Sequence, residues 1–158
     1  MPIAPNGIIS LKTIDKYFQA CERHLMSMRN RKPVDLSIKW EKQFPAVAGV
    51  YVAFENGRIV YVGETDNLQC RMGSLRDSRN HTLRRSVGDR HFSKLKGYTK
   101  ATTRQKFPDD IEERLERLLR TTFEVAILPL AIGRKEFEDW LRAKPHKLYN
   151  RPRRKGAE

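Results

Sequence analysis

The sequence predicts a small α/β domain in which a three-stranded mixed or antiparallel sheet is flanked by helices. Two segments rich in β-branched and aromatic residues, 46–54 and 58–63, lie on either side of Asn56-Gly57, a hairpin signal. The apolar run FEVAILPL at 123–130 reads as a buried third strand, with Pro129 near its end. Stretches with helical periodicity precede, separate and follow these strands, which is the pattern of a sheet covered by helices.

Each element has its own local signal. Residues 9–28 carry Ile14, Phe18, Cys21, Leu25 and Met26 at helical spacing, and Asn30–Pro33 breaks that helix. Residues 34–44 fit either a short helix or an extended lead-in. After the hairpin, Thr65-Asp66-Asn67 offers capping side chains to a helix through Leu68, Met72 and Leu75. A second short helix is expected over 81–88, on Leu83 and Val87, followed by an irregular basic stretch at 90–108. Asp109 or Asp110 caps a helix through Ile111, Leu115, Leu118 and Leu119. Beyond the third strand, Gly133 turns the chain into a helix with Phe137, Trp140 and Leu141 on one face, and Pro145 stops it. The expected organisation is an N-terminal helical extension (1–45), a main domain (46–151) and a basic tail (152–158).

A chain of 158 residues suits one domain, and 39% hydrophobic residues imply a modest core. Lys and Arg number 32 against 19 Asp and Glu, leaving +13, a field that favours a polyanionic partner. The charge is uneven. Between Arg71 and Lys106 there are eleven basic residues and two acidic ones, whereas 109–116 is mainly acidic. A solvated helix face would mix signs more evenly, so the bias marks a binding surface. Arg76, Arg84, Arg85 and Arg90 are the candidate phosphate contacts there, with Arg71. Cys21 and Cys70 stand far apart with no CxxC or histidine cluster, which reads as reduced core thiols and argues against zinc. No apolar run approaches the ~20 residues of a membrane span, and the N-terminus lacks signal-peptide features, so a cytoplasmic protein is expected.

The residues Gly49-Val50-Tyr51 and Tyr61-Val62-Gly63, followed by Arg71 in the next helix, Glu138 in a late helix and Asn150 after Pro145, resemble the GIY-YIG nuclease family over roughly residues 45–151. Val replaces Ile in both triplets, which keeps a β-branched residue. The resemblance implies a DNA endonuclease, restriction-type or stand-alone, that hydrolyses phosphodiesters with one Mg²⁺ or Mn²⁺. Tyr51, slightly preferred over Tyr61, would activate water; Arg71 would stabilise the transition state; Glu138 would hold the metal; Asn150 would fix the loop near it. Histidines occur in homing-type relatives in the region of His81, which would relay a proton or contact a phosphate. Double-stranded or branched DNA is the implied partner, to a monomer or a homodimer.

The chemistry is consistent with these residue types. Phosphodiester cleavage needs an activated water and a counter-charge for the phosphate. A phenol with a pKa near 10 needs a cationic neighbour to act as a base, and Arg71 is one. Arg71 can also hold phosphate oxygens bidentately, and a carboxylate such as Glu138 suits Mg²⁺. Taken singly, each residue has a plainer reading: packing for Tyr51 and Tyr61, surface for Arg71, a helix start for His81, a turn for Asn150. Periodicity alone does not choose between Glu136 and Glu138; the distance from Glu138 to Asn150 matches the family. A domain that keeps this fold but binds nucleic acid without cutting it is the alternative reading.

The hairpin carries a register problem. A plain two-residue Asn56-Gly57 turn pairs Tyr51 with Val62 and puts the tyrosines on opposite faces. A three-residue loop with Gly57 left-handed, pairing Phe54 with Arg58, puts them on one face and is therefore expected.

Overall fold

A computed structural model describes residues 9–150. The sheet is antiparallel and has four strands rather than three, in the order β1-β4-β2-β3. β2 (Gly49–Glu55), β3 (Arg58–Thr65) and β4 (Phe123–Pro129) are the strands visible in the sequence. The addition, β1 (Lys32–Pro33), is a two-residue edge strand on β4, too short to leave an alternating pattern.

Alternation along β2 divides the core. Val50, Val52 and Phe54 face α1 (Leu11–Met26) and α6 (Arg134–Arg142), packing with Phe18, Leu25, Phe137 and Leu141. Tyr51 and Ala53 face the other way, toward α2 (Ile38–Glu41), α3 (Leu68–Gly73), α4 (Thr82–Phe92) and α5 (Asp109–Thr122), among Trp40, Leu68, Leu83 and Leu115. Ser10, Ser37, Asn67 and His81 cap α1, α2, α3 and α4 with side-chain acceptors, leaving no question of where those helices begin. The stretch after α4 is irregular but anchored: Ala101 and Phe107 are buried, and the Phe107 ring lies against Gly88, where a Cβ would come within 2.4 Å of it. Of the two cysteines only Cys21 is buried; Cys70 is exposed on α3. Among the described residues no helix is long and apolar enough to cross a membrane.

The tyrosines reach one face by a different device from the one the sequence suggested. Glu55 pairs with Arg58, so the turn has two residues, Asn56 and Gly57, both at positive φ. Phe54 then pairs with Ile59. Continued without interruption, that register would set Tyr51 opposite Val62. Instead a β-bulge at Val60 moves the pairing to Ala53 with Tyr61 and Tyr51 with Gly63. Val60 and Tyr61 consequently both join the core on the α3–α5 side, while Val62 returns to the α1/α6 side. The hydrogen-bonding edge of β3 is covered by the segment after α6: Tyr149 N–H donates to the Val60 carbonyl, and the Asn150 side chain bonds both N–H (3.0 Å) and C=O (2.7 Å) of Val62.

Arg84 and Arg85, expected at a phosphate, are interior residues. Arg84 is 2% exposed, and its guanidinium donates to Glu112 (2.6 Å), Ser78 and the Leu75 carbonyl. Glu112 in turn accepts from Phe107 N–H and Ser78, so one buried pair joins α4, α5 and the loops between them. Arg85 donates to the Ser78 and Arg79 carbonyls, and Arg76 to the Leu36 carbonyl and Glu41. These arginines hold the helical layer together. Breaking a buried pair leaves an uncompensated charge, so Glu112→Ala should lower unfolding stability by about 3–5 kcal/mol, and Arg84→Met with Glu112→Leu should recover most of it, as read by urea denaturation.

Candidate active site

The bulge brings four predicted residues together. The Tyr51 and Tyr61 rings stack with centroids 6.0 Å apart and planes at 22°. His81, at the start of α4, closes the cluster with its ring 5.8 Å from Tyr51 and 6.3 Å from Tyr61. Arg71 enters from α3: its Nε donates to the Tyr51 hydroxyl at 3.0 Å, and Nη1 donates to the Asn80 carbonyl at 3.2 Å. Gly63 makes the arrangement sterically possible, because a Cβ there would stand 2.4 Å from the Tyr51 ring carbon and hydroxyl.

Burial sets the electrostatics. Tyr51 is 1% exposed, and desolvation, aided by the neighbouring Tyr61 oxygen, raises its pKa despite the opposing charge and hydrogen bond of Arg71. Its resting form at neutral pH is the neutral phenol. Burial alone would lower the Arg71 pKa, but the two phenol oxygens outweigh it and keep the guanidinium charged. His81 is fully buried; desolvation and then Arg71, Arg85 and Arg84 hold its pKa well below the usual histidine value. Its Nδ1 accepts from Leu83 N–H, which assigns the ring proton to Nε2. That Nε2 is buried with no hydrogen-bond partner among the described residues. An imidazolium meeting a phosphate does not fit this environment; a neutral donor does.

Arg71 also lines an open, polar hollow of about 430 Å³, together with Glu64, Thr65, Asp66, Arg134 and Lys135. Glu64 directly follows the glycine of the second motif and pairs with Arg134 at 2.7 Å. Arg134 and Lys135 begin α6, and Glu138 stands four and three residues further on, on the same side of that helix. Glu138 is 8% exposed, turned inward rather than to bulk water, with Arg142 3.5 Å away. Asn150 lies at the edge of β3 on Val62, next to Tyr61 in the chain. Of the candidate phosphate contacts, Arg71 faces a cavity here, and Arg90 is exposed on α4.

Residues 47–124, about half of the chain, match the GIY-YIG catalytic domain. The protein belongs to the GIY-YIG family. The match covers Tyr51, Tyr61, Arg71 and His81; Glu138 and Asn150 lie beyond it, in the helix and segment that complete the fold. No curated protein sequence and no solved structure matches the chain. GIY-YIG domains are nuclease-type domains that act on DNA, and the tyrosine–arginine cluster lies wholly within the matched residues.

Glu64, Arg134 and Tyr149 were not evident from the sequence. Glu64 and Arg134 are seventy positions apart, and no periodicity announces a pair brought together by a strand end and a helix start. The only sequence signal for Tyr149 was its place beside Asn150.

The His81 environment has a consequence for stability. The folded pKa is depressed, so as pH falls through ~6.5 the unfolded chain binds a proton that the folded chain refuses. The His81 contribution is therefore present above that pH and is lost below it, at up to ~1.4 kcal/mol per pH unit. His81→Asn, which retains a capping oxygen, should flatten the decline of unfolding free energy between neutral and mildly acidic pH.

Proposed function

We propose that this GIY-YIG protein is a divalent-metal-dependent DNA endonuclease, of restriction or stand-alone type, whose active site is the Tyr51–Tyr61–His81–Arg71 cluster and the hollow beside it. The observation that carries the reading is Arg71, which is hydrogen-bonded to a buried phenol and at the same time lines an open polar cavity. A guanidinium so placed can hold a phosphate in the cavity while its other edge fixes the group that handles the proton.

The donor set fits a hard divalent ion. No group of three or more His, Cys, Asp or Glu forms a cage among the described residues. Glu138, inward on α6, with Glu64 and Asp66 lining the hollow, offers few hard carboxylate oxygens, which suits an Mg²⁺ or Mn²⁺ that keeps water and takes phosphate oxygens as its remaining ligands. Such an ion would be held by Glu138 and would supply Lewis-acid charge at the phosphate. The chain does the rest. Arg71, charged and anchored on the Asn80 carbonyl, neutralises the phosphate oxygens. The minor phenolate form of Tyr51, its oxygen oriented by Arg71 Nε, takes the proton from the attacking water and becomes the phenol. Tyr61 stacks on Tyr51 and limits its movement. His81, packed beside the two rings, carries Nε2–H as a neutral donor. Asn150 stiffens β3 beside Tyr61.

Two measurements examine this. Plasmid incubated with Mg²⁺ or Mn²⁺ should be cut by the wild type, while Glu138→Gln should lose at least about two orders of magnitude of rate, in the range seen for removal of one stabilising group, yet still bind DNA. Equal nicking by both would sink the metal role, and binding without any cutting by the wild type would favour a non-catalytic module. Because the Tyr51 pKa is raised above the ordinary phenol value, the reactive phenolate fraction should grow with pH through the neutral and mildly alkaline range. Cleavage rate should climb over that range without a plateau, and Tyr51→Phe should remove both the rate and the climb.

A further inference from the structure

Arginines in this protein are mostly engaged. Arg76, Arg79, Arg84, Arg134 and Arg142 all pair with carboxylates. Arg58, Arg90 and Lys147, like some other cations, form no ion pair among the described residues, but these three share one cavity of about 320 Å³ at the β3 edge that the segment after α6 covers. Val60, His146 and Tyr149 complete the part of the wall that matters here. No acidic residue lines it. His146 Nε2 is shielded from solvent and without a hydrogen-bond partner.

The cavity has a built wall. Tyr149 is fixed at both ends, its N–H on the bulged Val60 carbonyl and its hydroxyl on Glu55, whose other oxygen meets His91 at 2.7 Å. The Arg90 guanidinium stacks over the Tyr149 ring at 4.5 Å, so it is held in position by an aromatic face rather than by an acid. A second hollow on α4, also lined by Arg90 and Tyr149, contains Asp89 and Ser86, whose Oγ is buried and unpartnered among the described residues. Cations converging on a cavity whose lining holds no acid repel one another, and an anion arriving between them relieves that repulsion.

We infer that this cavity seats a backbone phosphate of the DNA strand flanking the one that is cut. The position along β3 supports a flanking rather than a scissile phosphate. Arg58 is three residues from Tyr61, at most ~10 Å at ~3.3 Å per residue, which corresponds to about three steps of duplex at 3.4 Å each. The choice of DNA rests on the nuclease reading; the presence of an anion seat does not.

The test is equilibrium binding of a short labelled duplex in chelator, by fluorescence anisotropy over a range of KCl. It compares wild type, Arg58→Gln/Arg90→Gln/Lys147→Gln, and a charge-matched control on the solvent face of α5, Arg114→Gln/Arg117→Gln/Arg120→Gln. All six residues are exposed, and unchanged circular dichroism and melting would verify folding. Each lost phosphate contact removes ~0.9 from the log–log salt slope, so emptying a seat for one phosphate should cost the cavity variant about one unit and the control close to none. Equal losses in both variants would reduce the effect to net charge and overturn the inference. An unchanged slope overturns it too; if calorimetry then shows wild type binding inorganic phosphate, the cavity belongs to a small phosphate compound instead. Since nothing is cut in chelator, failure of the wild type to cleave with Mg²⁺ would remove the nuclease reading and leave this outcome standing.

Discussion

One extra residue in β3 governs the arrangement of the site. Side chains on a strand alternate strictly, so a two-residue turn at Asn56-Gly57 would send Tyr51 and Tyr61 to opposite faces of the sheet. The bulge at Val60 resets the alternation by one. Everything chemical follows from that reset: the stacked rings, the empty space over Gly63 into which Tyr51 fits, and the approach of Arg71 and His81 from the helical layer. A bulge leaves its own backbone groups outside the ladder, and the Tyr149 N–H takes the Val60 carbonyl. The distortion and its remedy thus come from opposite ends of the domain.

The positive charge of the chain serves two purposes that sequence counting does not separate. One set of guanidinia points inward and ties carbonyls and carboxylates of α2 to α5 into a rigid layer, as Arg84 does with Glu112. Others remain at the surface, among them those in the hollow beside Arg71 and those around Tyr149. A planar five-donor group suits both roles, since it can satisfy several buried acceptors at once and can also clasp a phosphate. Rigidity on the first account gives precise placement on the second: Arg71 and His81 belong to the layer that the buried arginines brace.

Much of the fold was legible in the sequence because its signals are local. Hydrophobic periodicity, the Asn56-Gly57 turn and the capping residues are properties of a few neighbours, and the helices and three main strands follow from them. β1 was not legible, since two residues carry no pattern. The hairpin register was legible only as a requirement. The need for both phenols on one face was correct reasoning, but Gly57 was the visible candidate for the irregularity, and nothing in Ile59-Val60-Tyr61 distinguishes a bulged valine from a regular one. An arginine pair in a basic stretch has no local mark of burial; Glu112, 28 positions from Arg84, and the Ser78 and Arg79 carbonyls that hold Arg85 reveal it. The same limit applied to Glu64 with Arg134. Motif spacing found the residues of the cluster, and tertiary contacts decided which neighbours joined them.

The attachment of Tyr149 and Asn150 to the free border of β3 bears on how the protein is made. A ribosome delivers the two tyrosine strands early and these two residues nearly ninety positions later. During that interval the hairpin has exposed backbone groups along one side, and its irregular residue has no clasp. The tyrosine cluster is therefore braced only after the segment carrying Tyr149 and Asn150 has been synthesised, so the hairpin and its clasp are completed at different times.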